Sequence, residues 1–234
     1  MGRMRRDVDI GEIIPGGVLL VSYGQYSMGW KIGVEYLKQE IEKGAFGIVL
    51  NATVPVRKLF ERAKSVGFDI LNAGKNGRLA VIDMFNEQTG LDFVYSIETV
   101  DRTLIIPRIE KVMDEICEKY SLQDRTVIGA IATLDGLYEL FGGKFLKSMM
   151  LQYLIRSERL LKEGYDHWAI LIVNRDTIPK ELHSWIISVS DYVILTEGIM
   201  DRTSLIENTV LLKSLAPGFS QRMFQTTVPA ERLR

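Results

Sequence analysis

Short apolar segments alternate with amphipathic helical segments through the first half of the sequence, and this alternation limits the possible fold more than any other feature. Segments 18–22, 46–50 and 79–82 are apolar at nearly every position. Strands that are apolar on both faces belong inside a parallel sheet. The connections between them are long enough for helices, which gives parallel neighbours with right-handed crossovers. The pattern predicts an α/β fold with an open, mostly parallel twisted sheet and helices on both faces.

The same patterns extend to the rest of the chain. In the first predicted helix, Val34 and Leu37 face inward, Glu35 faces outward, and Gly44 ends the helix. The other predicted helices begin at Pro55, at Pro107, at residue 145 and at Pro179; residues 72–77 are a predicted turn, and further strands are predicted at 126–132, 168–173, 192–195 and 210–212. The last two strands are expected to form an antiparallel meander at one edge. Without a linker or internal repeat, residues 1–234 are predicted to form a single domain.

Composition excludes several classes of function. The 234 residues carry a net charge of −1, and the basic residues form no stripe along the sequence, so nucleic acid is not an expected partner. No apolar run reaches the roughly 20 residues of a membrane helix. A cytoplasmic protein with no membrane partner is therefore expected.

Metal and hydrolase sites have little support in the sequence. The two histidines and one cysteine show no ligand spacing, so no metal is predicted. Ser27 lies between a strand and a helix, as does the nucleophile of a serine hydrolase, but Gln25 replaces the first glycine of GxSxG. His167 and His183 are the two candidate bases, and neither lies in a supporting motif. Core or solvated histidines are the expectation for both.

The segment VLLVSYGQYSMGWK, residues 18–31, has the layout of a phosphate-binding loop. A strand ends at Gly24, and a helix begins after Gly29, as in the motif GxxxxGK[ST]. Trp30 replaces the lysine of that motif, and Lys31 replaces its metal-binding hydroxyl. A plain strand-to-helix turn is the simpler interpretation, while the backbone amides leave nucleotide binding open.

The ordered segments resemble the KaiC-like branch of the RecA-superfamily ATPases. The resemblance rests on the PGG turn, the VLLVS strand, the glycine-bounded loop, LFERAKSVGFD, GRLAVIDMF, TVIGAIATLDGLYELFG and SDYVILTEG, and it covers most of the chain. It implies a RecA-like P-loop NTPase core. Members hydrolyse ATP with a loop lysine and Ser/Thr, acidic residues after the second strand and an aspartate ending the fourth.

The sequence departs from that family at all three chemical positions. Trp30 stands at the lysine, Thr53 and Val54 stand after the second strand, and Ala132 stands at the aspartate. The departures together argue against hydrolysis, because phosphoryl transfer requires charge neutralisation and a held Mg²⁺. Polar residues at the strand ends are possible accessory positions; they are Asn51, Thr53, Asp83, Thr133 and Asp135. No catalytic residue is predicted.

Two functions remain open. The first is a non-catalytic domain that binds a protein, a peptide or its own copies, as the bulky residues Tyr26, Met28 and Trp30 in the loop favour if they are exposed. These side chains could equally be packed core. The alternative is a nucleotide-binding protein, with ATP as the ligand and weak turnover at most through Lys31. No cofactor is predicted under the first function.

Overall fold

The computed structural model describes residues 8, 10–52, 54–85, 89–98, 101–200 and 204–229. Within these residues the strands are β1 (Val18–Tyr23), β2 (Phe46–Asn51), β3 (Leu79–Asp83), β4 (Val94–Ser96), β5 (Val127–Ile131), β6 (His167–Asn174), β7 (Tyr192–Met200), β8 (Ser204–Lys213) and β9 (Arg222–Pro229). The helices are α1 (Trp30–Lys43), α2 (Val56–Lys64), α3 (Ile70–Lys75), α4 (Ile105–Tyr120), α5 (Leu134–Lys162) and α6 (Lys180–Val189).

The nine strands form one sheet in the order β4-β3-β2-β5-β6-β1-β7-β8-β9. Strands β1 to β7 pair in parallel, whereas β8 runs antiparallel to β7 and β9 antiparallel to β8. The predicted parallel α/β sheet with late antiparallel strands is confirmed. Because parallel strands share a direction, the loops that follow β1, β2, β5 and β6 meet along one edge of the sheet. The loop between β1 and α1 lies at this carboxyl edge.

Helices cover both faces of the sheet. Alternate residues of β1 pack on opposite sides: Leu19 and Val21 face the layer with α1, α2 and α3, and Val18 and Leu20 face the layer with α4, α5 and α6. All four are at most 1% exposed. β1 is therefore buried on both faces, as its unbroken apolar run predicts.

Several elements differ from the prediction. Residues 72–77 were expected to be a turn, but most of them lie in helix α3. Asp69 caps that helix by accepting a hydrogen bond from the amide of Asn72. Helix α4 begins at Ile105, two residues before Pro107, which is tolerated in a first turn because its missing N–H has no helical partner there. The late strands β7 and β8 are longer than predicted, and β9 was missed.

Helix α5 is interrupted at Gly142. This glycine has φ 80° and ψ 171°, a backbone conformation that only glycine adopts readily. The helix predicted from residue 145 therefore continues a shorter helical segment that begins at Leu134, directly after β5. The break lets the first segment stay at the carboxyl edge while the second crosses the sheet.

Glu35 was expected to face outward, but its carboxylate is partly buried. Its Oε2 atom is buried and has no hydrogen-bond partner among the described residues. Burial raises the pKa of Glu35 to about 6, against a partial opposing effect of Lys38 and Lys31. The negative charge on α1 is therefore destabilising in the folded state.

No helix among the described residues has the length and hydropathy needed to cross a membrane.

Substitution of Gly142 tests the break in α5. Gly142→Ala is expected to lower the free energy of unfolding by about 1–3 kcal/mol, because alanine is strained at this φ and ψ. Gly143→Ala is the matched control, since its Cβ would contact Leu182 and Tyr138 at an ordinary 3.7 Å. Alanine there should be neutral or stabilising by up to about 1 kcal/mol. Equal effects of the two substitutions in urea unfolding would contradict a break at Gly142.

The Glu35 pKa predicts a pH-dependent stability change. The pKa of Glu35 in the folded state lies above the unfolded value of about 4.3. The ionised carboxylate therefore lowers the stability of the fold fully above about pH 6, and this loss disappears below about pH 4. Glu35→Gln is expected to raise Tm at pH 7.5 and to leave it unchanged at pH 4. Glu42→Gln, on the exposed face of α1, should change Tm at neither pH. A gain of equal size at both pH values would disprove the electrostatic explanation.

Candidate functional site

The loop between β1 and α1 lies at the carboxyl edge of the sheet, where a phosphate cradle would lie. It runs from Gly24 to Gly29, and α1 begins at Trp30. Gly29 has helical φ and ψ, so the first amides of α1 point back toward the loop. In a phosphate-binding protein, these amides and the helix N-terminus would hold the anion.

Here two carboxylates of the protein accept hydrogen bonds from the loop amides. The Gln25 N–H donates to Asp176 Oδ2 at 2.7 Å, and the Met28 N–H donates to Glu207 Oε1 at 2.8 Å. The Ser27 N–H donates to the Gly24 carbonyl at 2.9 Å. The protein thus supplies the negative groups that an anion-binding loop of this shape would take from a ligand.

Ser27 links the loop to the hairpin of β7 and β8. Its Oγ lies 2.6 Å from Glu207 Oε1 and 2.7 Å from Thr196 Oγ1, and it accepts the Gly29 N–H at 2.9 Å. Because an ionised carboxylate only accepts, the Ser27 hydroxyl donates to Glu207 and the Thr196 hydroxyl is left to donate to Ser27. Ser27 is 6% exposed, so this network is satisfied within the protein.

Glycines allow the hairpin to lie directly against the loop. A Cβ added at Gly29 would lie 1.9 Å from Thr196 Oγ1, and one added at Gly198 would lie 2.2 Å from the Tyr26 carbonyl oxygen. Neither distance is sterically possible. The two glycines therefore allow the hairpin to pack closely against the loop.

A cavity of about 560 Å³ lies beside the loop, between α1, α2 and the sheet. Its walls are Trp30 and Val34 of α1 with Leu59 and Ala63 of α2. Its floor consists of apolar side chains from three adjacent strands, Val49 of β2, Ala130 of β5 and Ile172 of β6. The volume lies in the range of small-ligand sites, and the lining is mainly apolar as in such sites.

Exposed apolar residues border one end of the cavity. Tyr26 is 53% exposed, Met28 is 50% exposed and Met200 is 59% exposed, and all three line it together with Leu205. Trp30 is only partly exposed and packs against the core. Of the three bulky loop residues, Tyr26 and Met28 are exposed, as a contact with a partner would require, whereas Trp30 packs against the core. A cluster of exposed large apolar side chains around a cavity is typical of an interaction site.

Polar groups also line the cavity. Tyr23 ends β1, Thr133 follows β5, and Arg62 projects from α2; all three line the cavity. Burial, followed by the nearby Asp135 carboxylate, raises the pKa of Tyr23 to about 12, so its hydroxyl stays protonated. Asp135 Oδ1 accepts the Asn174 N–H at 3.2 Å, and burial raises the pKa of that carboxyl while Arg62 partly opposes the shift.

The other predicted accessory residues lie away from the cavity. Asn51 and Asp83 end the neighbouring strands β2 and β3, where the Asn51 amide donates to Asp83 Oδ1 and to the Val54 carbonyl, both at 2.7 Å. Both residues are fully buried. This pair joins two strand ends, and a structural role accounts for it. Thr53 lies outside the described residues.

Lys31 and the two histidines form no catalytic arrangement with Ser27. The Lys31 ammonium lies 5.8 Å from the centre of the Trp30 ring. His183 Nε2 is 2.8 Å from Ser22 Oγ, and His167 Nε2 is 2.8 Å from Ser157 Oγ. Burial lowers the pKa of both histidines. The partners of the Ser27 hydroxyl are Glu207, Thr196 and the Gly29 amide, so neither histidine is hydrogen bonded to Ser27.

Within the described part of the chain, no group of three or more histidine, cysteine, aspartate or glutamate residues could hold a metal ion.

Several residues of the site were not predicted from the sequence. Asp176, Thr196 and Glu207 lie about 150 to 180 positions from the loop that they contact. No local pattern marks them, because the contacts depend on β6 and β7 both pairing with β1 and on β8 following β7. Arg62 was part of the quoted family resemblance, but its position at the cavity depends on the packing of α2.

Removal of the Glu207 carboxylate tests the hydrogen bonds to the loop. Glu207→Ala is expected to lower the free energy of unfolding by about 1.5–3 kcal/mol, because two hydrogen bonds to a charged group are lost. Glu197→Ala is the control, since its side chain is 64% exposed and its ion pair with Arg175 spans 3.6 Å. That exposed pair should contribute about 1 kcal/mol at most. Equal losses in the two variants would contradict the role of Glu207.

No protein-family model and no curated protein sequence matches this chain. Solved structures do match. The uncharacterised protein PH0321 from Pyrococcus horikoshii, crystallised in complex with an unknown peptide, is similar with a TM-score of 0.73 at 16% identity, over 93% of this chain and 95% of that chain. The KaiC-like protein PH0186 from Pyrococcus horikoshii OT3 is similar with a TM-score of 0.67 at 14% identity, over 94% and 92%. The fold is that of KaiC-like proteins with a RecA-type core, as the resemblance in sequence predicted.

Proposed function

We propose that this protein is a non-catalytic, peptide-binding domain whose binding site is the apolar cavity beside the loop between β1 and α1. The proposal rests on two features of the same edge of the sheet. The cavity is mainly apolar, and the adjacent loop already donates amide hydrogen bonds to Asp176 and Glu207. The cavity favours an apolar ligand. The occupied amides disfavour a triphosphate, because its charges would have to displace two carboxylates.

The extent of the cavity suits an extended peptide. It is lined from Val49 on β2 to Leu205 on β8, which are separated by five strand intervals in the sheet order. Five intervals correspond to about 24 Å, the length of about seven extended residues. The exposed side chains of Tyr26, Met28 and Met200 provide apolar and polarisable contacts at one end. The peptide in the crystals of the similar protein PH0321 supports the same class of ligand.

Nucleotide binding is the alternative, and it makes a different prediction. The strand, loop and helix retain the glycine spacing of a phosphate cradle. ATP would bind there only after the hairpin of β7 and β8 had moved away from the loop, since Gly198 lies against Tyr26. Lys31 would then be the nearest residue able to replace the motif lysine.

A peptide pool with a cavity-filling variant tests the proposal. The probe is a pool of heptapeptides in which Leu, Met, Phe or Val alternates with Ser, and retained peptides are identified by mass spectrometry and measured by calorimetry. The protein is expected to bind members with Kd below about 100 μM. Val34→Trp should weaken this binding at least tenfold, because indole would fill space between α1 and α2. Gln39→Trp, on the exposed side of α1, should leave it unchanged.

Calorimetry with ATP and Mg²⁺ completes the test. No saturable binding is expected at nucleotide concentrations up to about 1 mM. Saturable ATP binding that Lys31→Ala abolishes, together with no retained peptide, would overturn the proposal in favour of nucleotide binding.

A further inference from the structure

The lining of the cavity carries one charged side chain among the described residues, that of Arg62. Arg62 lies on α2, which follows β2, whereas Met200 and Leu205 lie on β7 and β8 at the other side of β1. The guanidinium and the apolar rim of Tyr26, Met28 and Met200 therefore mark opposite ends of the cavity.

The carboxylates of the site lie near the apolar end. Asp176 and Glu207 accept the amides of Gln25 and Met28, and both amide donors belong to residues that line the cavity. Arg175 in that region already has Glu197 at 3.6 Å and donates to the Thr196 carbonyl. Asp176 and Glu207 thus lie behind the lining near the hairpin, whereas Arg62 lines the cavity near α2.

Arg62 is available to an anionic ligand. It is exposed, and no salt bridge among the described residues includes it. The charge of Arg62 acts on Asp135, whose Oδ1 already accepts the Asn174 N–H. Burial raises the pKa of Asp135 and so disfavours its negative charge. This charge is the one that would compete with a bound anion for Arg62. Tyr23 and Thr133 also line the cavity, and the charge of Arg62 acts on Tyr23.

We propose that the cavity binds the free C-terminal end of a peptide, with the α-carboxylate at Arg62 and the preceding apolar residues directed toward Met28 and Met200. This inference rests on the proposed peptide-binding function. A guanidinium matches a carboxylate in charge and in geometry, since two parallel N–H groups can bind its two oxygens. In this orientation the cationic N-terminal side of a short peptide faces Asp176 and Glu207. The reverse orientation would place the ammonium group at Arg62 and the carboxylate beside two carboxylates.

The heptapeptide pool, prepared both as free acids and as C-terminal amides, tests the orientation. The unmodified protein is expected to bind free acids at least about tenfold more tightly than the corresponding amides, since an amide removes the charge that Arg62 binds. Arg62→Gln should abolish this preference while binding the amides as tightly as the unmodified protein does. Arg57→Gln is the matched control, because Arg57 is exposed on the same helix and does not line the cavity; it should keep the full preference.

The possible results separate the two claims. Equal affinity for free acids and amides in the unmodified protein would overturn the orientation and leave peptide binding intact. A preference for free acids that persists in Arg62→Gln would overturn the role of Arg62. Retention of neither form would overturn the peptide-binding function itself, and the orientation with it.

Discussion

The hydrogen bonds from the loop between β1 and α1 to Asp176 and Glu207 are the interactions on which the functional edge of this structure depends. In a phosphate-binding loop, amides of this kind are left for a ligand. Here one carboxylate comes from the segment after β6 and the other from β8. The loop is therefore complete without a bound anion, and its conformation is coupled to the late strands of the sheet.

The contact between the loop and the late strands determines which part of the carboxyl edge is open to a ligand. The hairpin of β7 and β8 lies against the loop at Gly29 and Gly198. Beside it, the space between α1 and α2 remains as a cavity with apolar walls and with Arg62 at one end. This apolar cavity lies at the carboxyl edge of the sheet. Ligand sites at the carboxyl ends of parallel strands are general in open α/β sheets.

The sheet and most helices could be predicted from local pattern, because an apolar run buried on both faces or an amphipathic stripe is a property of adjacent residues. Helix α3 was missed because Asn72 and Gly77 are typical turn residues; Gly74 in that helix lies so close to Phe93 that an added Cβ would be 2.3 Å from the ring. Strand β9 is mostly exposed, so it lacks the apolar pattern of a buried strand.

The candidate site was predictable only in part. The loop and its exposed residues Tyr26 and Met28 were identified from glycine spacing and residue type. Glu207 and Asp176 could not be identified, since their contacts depend on the order of strands in the sheet and not on neighbouring sequence. The sequence shows which motif residues the loop lacks, and the structure shows that Asp176 and Glu207 accept hydrogen bonds from its amides.

Amide hydrogen exchange of the loop, measured residue by residue by NMR, tests the central claim most directly. Met28 is 50% exposed, so its amide would exchange at nearly the rate of an unstructured peptide if it were not hydrogen bonded. Because the Met28 and Gln25 amides donate to Glu207 and Asp176, both are predicted to exchange at least about 100-fold more slowly than that reference. Exchange of both amides within about threefold of the reference rate would contradict the account.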